Sequence, residues 1–249
     1  MNGHKLRLPL KKWDKAISDF NSLYDTAGGL DKSQIKIEYT DELRRLLTLI
    51  DLDDEYDGLV FHYGFDPTTK QLSYFIGLGK IDSNRKFSAY PLPKAGGGFE
   101  YIEVSNASTS IQRKDIAFFD KKRKDYYCQV TKDGVALNLI PSPYHARMVF
   151  HKTQELRAFD AEYASSIDPY LYIDHGARKD KIDTPTIDES RDHTPLLRFG
   201  NQGKMFEIDD VPYENYFGYS ARYRNKAFNI GQLCPPDCGT VSVPAPTCP

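Results

Sequence analysis

The chain has no run near the ~20 consecutive apolar residues that a membrane helix needs, and its richest runs, such as Leu59-Val60-Phe61, stop at three or four. It also lacks an excess of charge of either sign. Lys and Arg number 33 against 35 Asp and Glu, a net charge of -2, so no global field invites nonspecific binding to nucleic acid or to an anionic membrane. Neither is therefore expected as a partner. The first residues, Met1 to Pro9, carry some positive charge but no continuous apolar segment, so no signal peptide is expected and the setting reads as cytoplasmic and reducing. Catalytic signatures are missing too. There is no HExxH and no GxSxG; GxGxxG is missing, and the glycine-rich Lys94-Ala95-Gly96-Gly97-Gly98-Phe99 lacks the Gly-Lys-Ser/Thr ending of a phosphate loop.

What remains is a chain of 249 residues with 40% hydrophobic and 27% charged residues, enough to bury a core. Its 17 Tyr and 14 Phe stand against one Trp, a balance that suits half-buried sheets and contact surfaces, since Tyr buries a ring while its hydroxyl stays wet.

Periodicity orders the first third. Leu10, Trp13, Ile17, Phe20 and Tyr24 share a helical stripe that stops at Gly28-Gly29. A second short helix follows Thr40, with Leu43, Leu46, Leu47 and Ile50 on its buried face. The period then changes to two. Gly58 to Gly64 and Gln71 to Gly79 read as strands joined by a turn at Asp66-Pro67-Thr68-Thr69-Lys70. Leu59, Phe61 and Tyr63 share one face, as do Leu72, Tyr74, Ile76 and Leu78, while His62 points the other way as a hydrogen-bonded strand histidine. Residues 82 to 98 read as a loop and Phe99 to Val104 as a strand. Residues 111 to 131 fit either a charged helix or a strand. Val135 to Ile140 reads as a strand, Pro143 to Ala164 as the strongest late helix, and Leu196 to Phe199 with Lys204 to Ile208 as a hairpin.

The expected class is α+β: an N-terminal helix pair packed on a mainly antiparallel sheet, a further helix near 143–164, and an irregular Pro/Cys-rich tail. The expected organisation is a main domain over 1–173, a polar loop or linker over 174–195, a hairpin with an aromatic and basic segment over 196–233, and the tail over 234–249.

Three groups of residues carry candidate chemistry. His175 and His193 each follow an aspartate in an acid-rich stretch, the ligand types of a hydrolytic metal site that activates water. His145 and His151 fall six residues apart on the expected helix, about 240° around its axis, and so cannot share a metal. In the tail, Cys234, Cys238 and Cys248 admit a structural zinc, with a fourth ligand to be found elsewhere. Pro235-Pro236 stiffens the segment and would hold Cys234 and Cys238 roughly 12 Å apart, too far for a disulfide unless the chain turns sharply. Cys128 reads as a buried structural thiol. No cofactor is predicted beyond that zinc. Third, Tyr213, Tyr216, Phe217, Tyr219, Arg222 and Tyr223 form an aromatic-basic segment suited to contact with a protein.

Asn229-Ile230-Gly231-Gln232-Leu233-Cys234-Pro235-Pro236-Asp237-Cys238 resembles the C-terminal ends of uncharacterised soluble proteins from Bacteroidetes bacteria, and the Leu6 to Leu78 segment is similar in style to theirs. The resemblance implies a bacterial cytosolic setting and carries over no catalytic residue. Together these readings give a non-enzymatic cytosolic protein that binds another protein or a second copy of itself. The alternatives are a metal-dependent hydrolase built on His175, His193 and neighbouring acids, and a structural zinc site in the tail.

Overall fold

A nine-residue strand with no polar outer face needs covering on both sides, and that requirement organises the fold. In the computed structural model this strand, β2 (Gly58–Asp66), is buried from Gly58 through Phe65. The structure describes residues 17–18, 20–21, 30–38, 46, 56–81, 87–126, 128, 148–152, 170–177, 193–199 and 232–234. These are sheet-rich with a single complete helix, an arrangement of α+β or mainly β class.

β2 pairs along its whole length with β3 (Gln71–Ile81), from Gly58↔Gly79 to Asp66↔Gln71. The expected turn closes this hairpin. Asp66 Oδ1 accepts hydrogen bonds from the backbone N–H of Thr68 at 2.8 Å and of Thr69 at 3.3 Å, and Lys70 takes the left-handed φ of 61° that reverses the chain. Alternation does the rest. Leu59, Phe61, Tyr63 and Phe65 of β2 and Leu72, Tyr74, Ile76 and Leu78 of β3 enter one core, as their spacing predicts. Burying each such side chain contributes roughly 1.5–3 kcal/mol.

The hairpin grows into an eight-stranded antiparallel sheet. Beyond β3 lies β6 (Phe99–Ser105), which pairs with Ser73 to Ile76, while β4 (Phe87–Tyr90) pairs with Leu78 to Ile81 of the same strand. β5 (Leu92–Pro93) and β7 (Gln112–Asp115) both pair with β6. On the other side β2 pairs with β8 (Met148–Lys152), and β8 with β11 (Gln232–Cys234). A second, three-stranded sheet of β1 (Ile35–Glu38), β9 (Tyr170–Ala177) and β10 (His193–Phe199) brings Ile35, Ile37, Leu171 and Ile173 into the same core. Phe20 and Leu46 are helical and buried there as well, and Ile17 is helical and half-buried; Leu10, Trp13, Tyr24, Leu43, Leu47 and Ile50 of the expected helix pair lie outside the described residues.

The opposite face of the large sheet is covered by α1 (Ile116–Asp125). Asp115 caps it, its side chain accepting from the Phe118 N–H at 2.8 Å, and Lys122, Arg123 and Lys124 stand at its negative C-terminal end. Phe119 and Arg123, one turn apart, are its buried residues. The segment that fits both readings thus divides into a strand and then a helix. At the rim of the sheet β7 presents Gln112, Arg113, Lys114 and Asp115, with Arg113 paired to Glu100 and Lys114 Nζ 3.6 Å from Glu103.

Several expectations are corrected. Residues 148–152, inside the helix expected over 143–164, are strand. Met148-Val149-Phe150 pairs with an edge of β2 that would otherwise be open and apolar, and this pairing outweighs helical spacing. The ends of the polar stretch 174–195 are strand too, since Asp174 to Ala177 belong to β9 and His193 to Pro195 to β10, and the two strands pair directly. Asp174 and His175 are polar yet buried, and so concealed the period. The loop expected over 82–98 contains β4 and β5. Residues 135–140 and 200–208 lie outside the described residues.

Gly77 sits where β3 changes partner from β6 to β4. A Cβ there would stand 2.6 Å from the Tyr90 carbonyl oxygen and 2.8 Å from the Tyr101 ring. Gly77→Ala is expected to lower stability by about 1–3 kcal/mol, read as a shift in the denaturant midpoint at unchanged slope. A midpoint equal to that of the wild type would show that the approach is not a constraint.

Candidate functional site: two buried histidines on one hairpin

His62 on β2 lies on the α1 face, opposite to the main core. Its ring meets Tyr101 edge-on at 5.4 Å and Phe119 at 5.1 Å, and Tyr101 stacks on Phe119 at 3.9 Å. The Arg123 guanidinium carbon lies 5.7 Å from the Phe119 ring centre. His62, Tyr101 and Phe119 are fully buried, and Arg123 almost so. The expected hydrogen-bonded strand histidine is not what the site holds. Among the described residues neither ring nitrogen of His62 nor the Tyr101 hydroxyl has a hydrogen-bond partner. Burial, helped by the Arg123 charge, pulls the His62 pKa down to about 3, so the ring is neutral. Burial also pushes the Tyr101 hydroxyl up and the Arg123 guanidinium down from their ordinary values.

His175 on β9 lies on the other side of the hairpin, between the two sheets. Its ring stacks on Phe20 at 5.4 Å and on Tyr74 at 5.6 Å, and its Nδ1 shares a 2.8 Å hydrogen bond with the Tyr74 hydroxyl. Burial lowers its pKa to about 4, against the opposing pull of Asp31 and a backbone hydrogen bond at Ser33. Next to it, Asp174 is buried and accepts a hydrogen bond from the Gln34 side chain. β2 and β3 therefore carry, on opposite faces, two aromatic nests that each hold a neutral imidazole.

The sequence candidates fall as follows. His175 is a core residue of β9. His193 opens β10 opposite Ala177, two register steps from Pro195, the residue opposite His175. Cys234 ends β11 opposite Met148. Tyr213, Tyr216, Phe217, Tyr219, Arg222, Tyr223, Cys238 and Cys248 lie outside the described residues. Among the described residues no three or more His, Cys, Asp or Glu are grouped closely enough to hold a metal ion. Cys128, expected as a buried thiol, is disulfide-bonded and only half-buried, in the turn of π-helix after α1. The expectation of a free thiol followed from the compartment read at the amino end, not from the surroundings of Cys128.

Sequence reasoning missed the Tyr101–Phe119–Arg123 packing on His62, because a helix and two strands distant in sequence build it. The one signal was Phe119 and Arg123 at helical spacing. It also missed a surface feature. The tip between β5 and β6 runs through Gly96, Gly97 and Gly98 at φ of 89°, 103° and 87°, is closed by hydrogen bonds between Lys94 and Gly98 and between Gly97 and Lys94, and leads into Phe99, 60% exposed. Among the described residues Phe99 is the one large hydrophobic side chain left exposed.

The two nests give stability a sign with pH. Folded His62 stays neutral down to about pH 3 and folded His175 to about pH 4, whereas unfolded histidines take their proton near 6.5. Between these values the unfolded chain binds more protons, so acid favours unfolding by about 1.4 kcal/mol per pH unit for each such group. Stability from these groups is complete above pH 6.5 and falls as pH drops towards 4. His62→Phe, which removes two unpartnered nitrogens and one titration, is expected to make that slope shallower while holding stability at neutral pH, as followed by denaturant midpoints across the window. An unchanged slope would show that His62 does not titrate on unfolding.

No helix among the described residues is long and apolar enough to cross a membrane. No protein-family model, curated protein or solved structure matches the chain, so the features of its own fold carry the functional reading.

Proposed function

We propose that the chain is a non-enzymatic protein that works by docking onto another protein or onto a second copy of itself. The observation that carries this reading is Phe99, a large aromatic side chain held out in water on a glycine-built hairpin tip. Exposed aromatic residues of this kind anchor interfaces, because a ring with few rotatable bonds buries much area at small entropic cost. The sequence adds a second candidate contact element, the aromatic-basic segment Tyr213, Tyr216, Phe217, Tyr219, Arg222 and Tyr223.

The nests around His62 and His175 support a structural rather than a chemical role for these groups. A general base or metal ligand has to reach its substrate or ion, and both rings are sealed between aromatic side chains. The hydrolase reading is not carried forward, because His175 spends its face on Phe20 and Tyr74 and its Nδ1 on a hydroxyl. The disulfide at Cys128 favours an oxidising compartment over the cytosol.

Phe99→Asp is expected to weaken association roughly tenfold or more, about 1.4 kcal/mol, without moving the thermal midpoint, since the side chain it replaces is mostly exposed. Sedimentation velocity of wild type and variant over a concentration series reads self-association directly. A wild type that stays monomeric, captures no partner from its own cells, and is indifferent there to alanine at Tyr216, Tyr219 and Tyr223 would overturn the reading.

A further inference from the structure

The chain has four cysteines, and Cys128 is disulfide-bonded, which leaves Cys234, Cys238 and Cys248 as the partners available within the chain. Sheet register narrows the choice. Cys234 stands opposite Met148, and Met148 opposite His62, so the three lie on one row across β11, β8 and β2. At ~4.8 Å between strands, the Cys234 backbone is about 10 Å from that of His62.

The other half of the bond approaches the same row. α1 lies over His62, with the Phe119 ring 5.1 Å from the imidazole, and the turn that follows it stacks Tyr126 on Tyr63 at 5.0 Å. His62 and Tyr63 are consecutive and face opposite sides of the sheet, so the end of α1 passes from one face of β2 to the other. β3 occupies one edge of β2 from Gly58 to Asp66, and β8 occupies the other only from Gly58 to His62. Among the described residues β8 leaves that edge unpaired beyond His62, and the crossing fits there, beside the row on which Met148 begins β8 and Cys234 ends β11. Cys128 is two residues beyond Tyr126, a reach of at most about 7 Å. A disulfide spans Cα atoms about 4.4–6.8 Å apart.

The geometry points to Cys128–Cys234 as the disulfide, a covalent strap that fastens the edge strand β11 to the end of α1. Of the three candidates, Cys234 is the one whose backbone the sheet register fixes beside this corner, and Pro235-Pro236 disfavours a tight turn directly after it. The bond forms by thiol–disulfide exchange with a disulfide oxidant, a thiol oxidoreductase or a small-molecule disulfide. One cysteine thiolate attacks the oxidant and releases one thiol. The second thiolate then resolves the mixed disulfide and releases the other, so the two cysteines lose two protons and two electrons and the oxidant is reduced to two thiols.

Peptide mapping of the full chain tests the assignment, with protein made in an oxidising host compartment and blocked with an alkylating agent before any reduction. Trypsin frees residues 125–132, which hold Cys128, and 227–249, which hold the other three cysteines; cleavage before Asp237 then separates 227–236, with Cys234, from 237–249. The expected product is 125–132 linked to 227–236, present without reductant and absent after it. Linkage of 125–132 to 237–249, linkage between two copies of 125–132, or alkylation of all four thiols in the unreduced protein would each overturn the assignment.

Discussion

The structure depends on one strand being covered on both faces. β2 is buried on both faces, and each neighbour answers one of its demands: β3 takes one hydrogen-bonding edge along its whole length, β8 takes the other from Gly58 to His62, the three-stranded sheet takes one face, and α1 takes the other. Antiparallel sheets commonly leave one face to water, and such strands alternate apolar with polar residues. β2 does not, because Val60 and His62 stand where polar outer residues would and are as dry as Phe61 and Tyr63.

Covering both faces explains the histidines. A strand position that is normally solvated holds an imidazole at His62, and α1 then seals it with Phe119 while Arg123 lies close by. On the other face, Tyr74 offers a hydroxyl to His175, which therefore has a fixed hydrogen-bond partner. The two environments are alike in aromatic walls and neutral charge state and differ in hydrogen bonding. The cost of burying polar atoms falls more heavily on the His62 side, where the aromatic edges of Tyr101 and Phe119 supply contact but no hydrogen bond.

Local patterns were legible in the sequence. The β2–β3 hairpin, its Asp66 turn, the face shared by Leu59, Phe61 and Tyr63, and the strand from Phe99 follow from spacing alone, because adjacent residues decide them. Non-local pairing was not legible. Met148 to Lys152 carry helical spacing, and only the open edge of β2, some ninety residues earlier, makes them a strand. Likewise Asp174 and His175 look like solvated loop until β10 pairs with them. Of the candidate site, His62 was placed on the correct face, but its neighbours Tyr101 and Arg123 come from separate elements that no short-range pattern links.

The charged rim at β7 bears on how this molecule avoids aggregation. A broad antiparallel sheet ends in unpaired backbone groups that invite another strand, and here that edge carries Gln112, Arg113, Lys114 and Asp115 in succession. Adding a strand there would strip water from Arg113 and Lys114, whose charges are balanced by Glu100 and Glu103 within the sheet. Growth by edge-to-edge stacking into fibres is thus blocked at this rim. Phe99, by contrast, protrudes as a side chain from a hairpin tip and offers no unpaired backbone edge to a further strand.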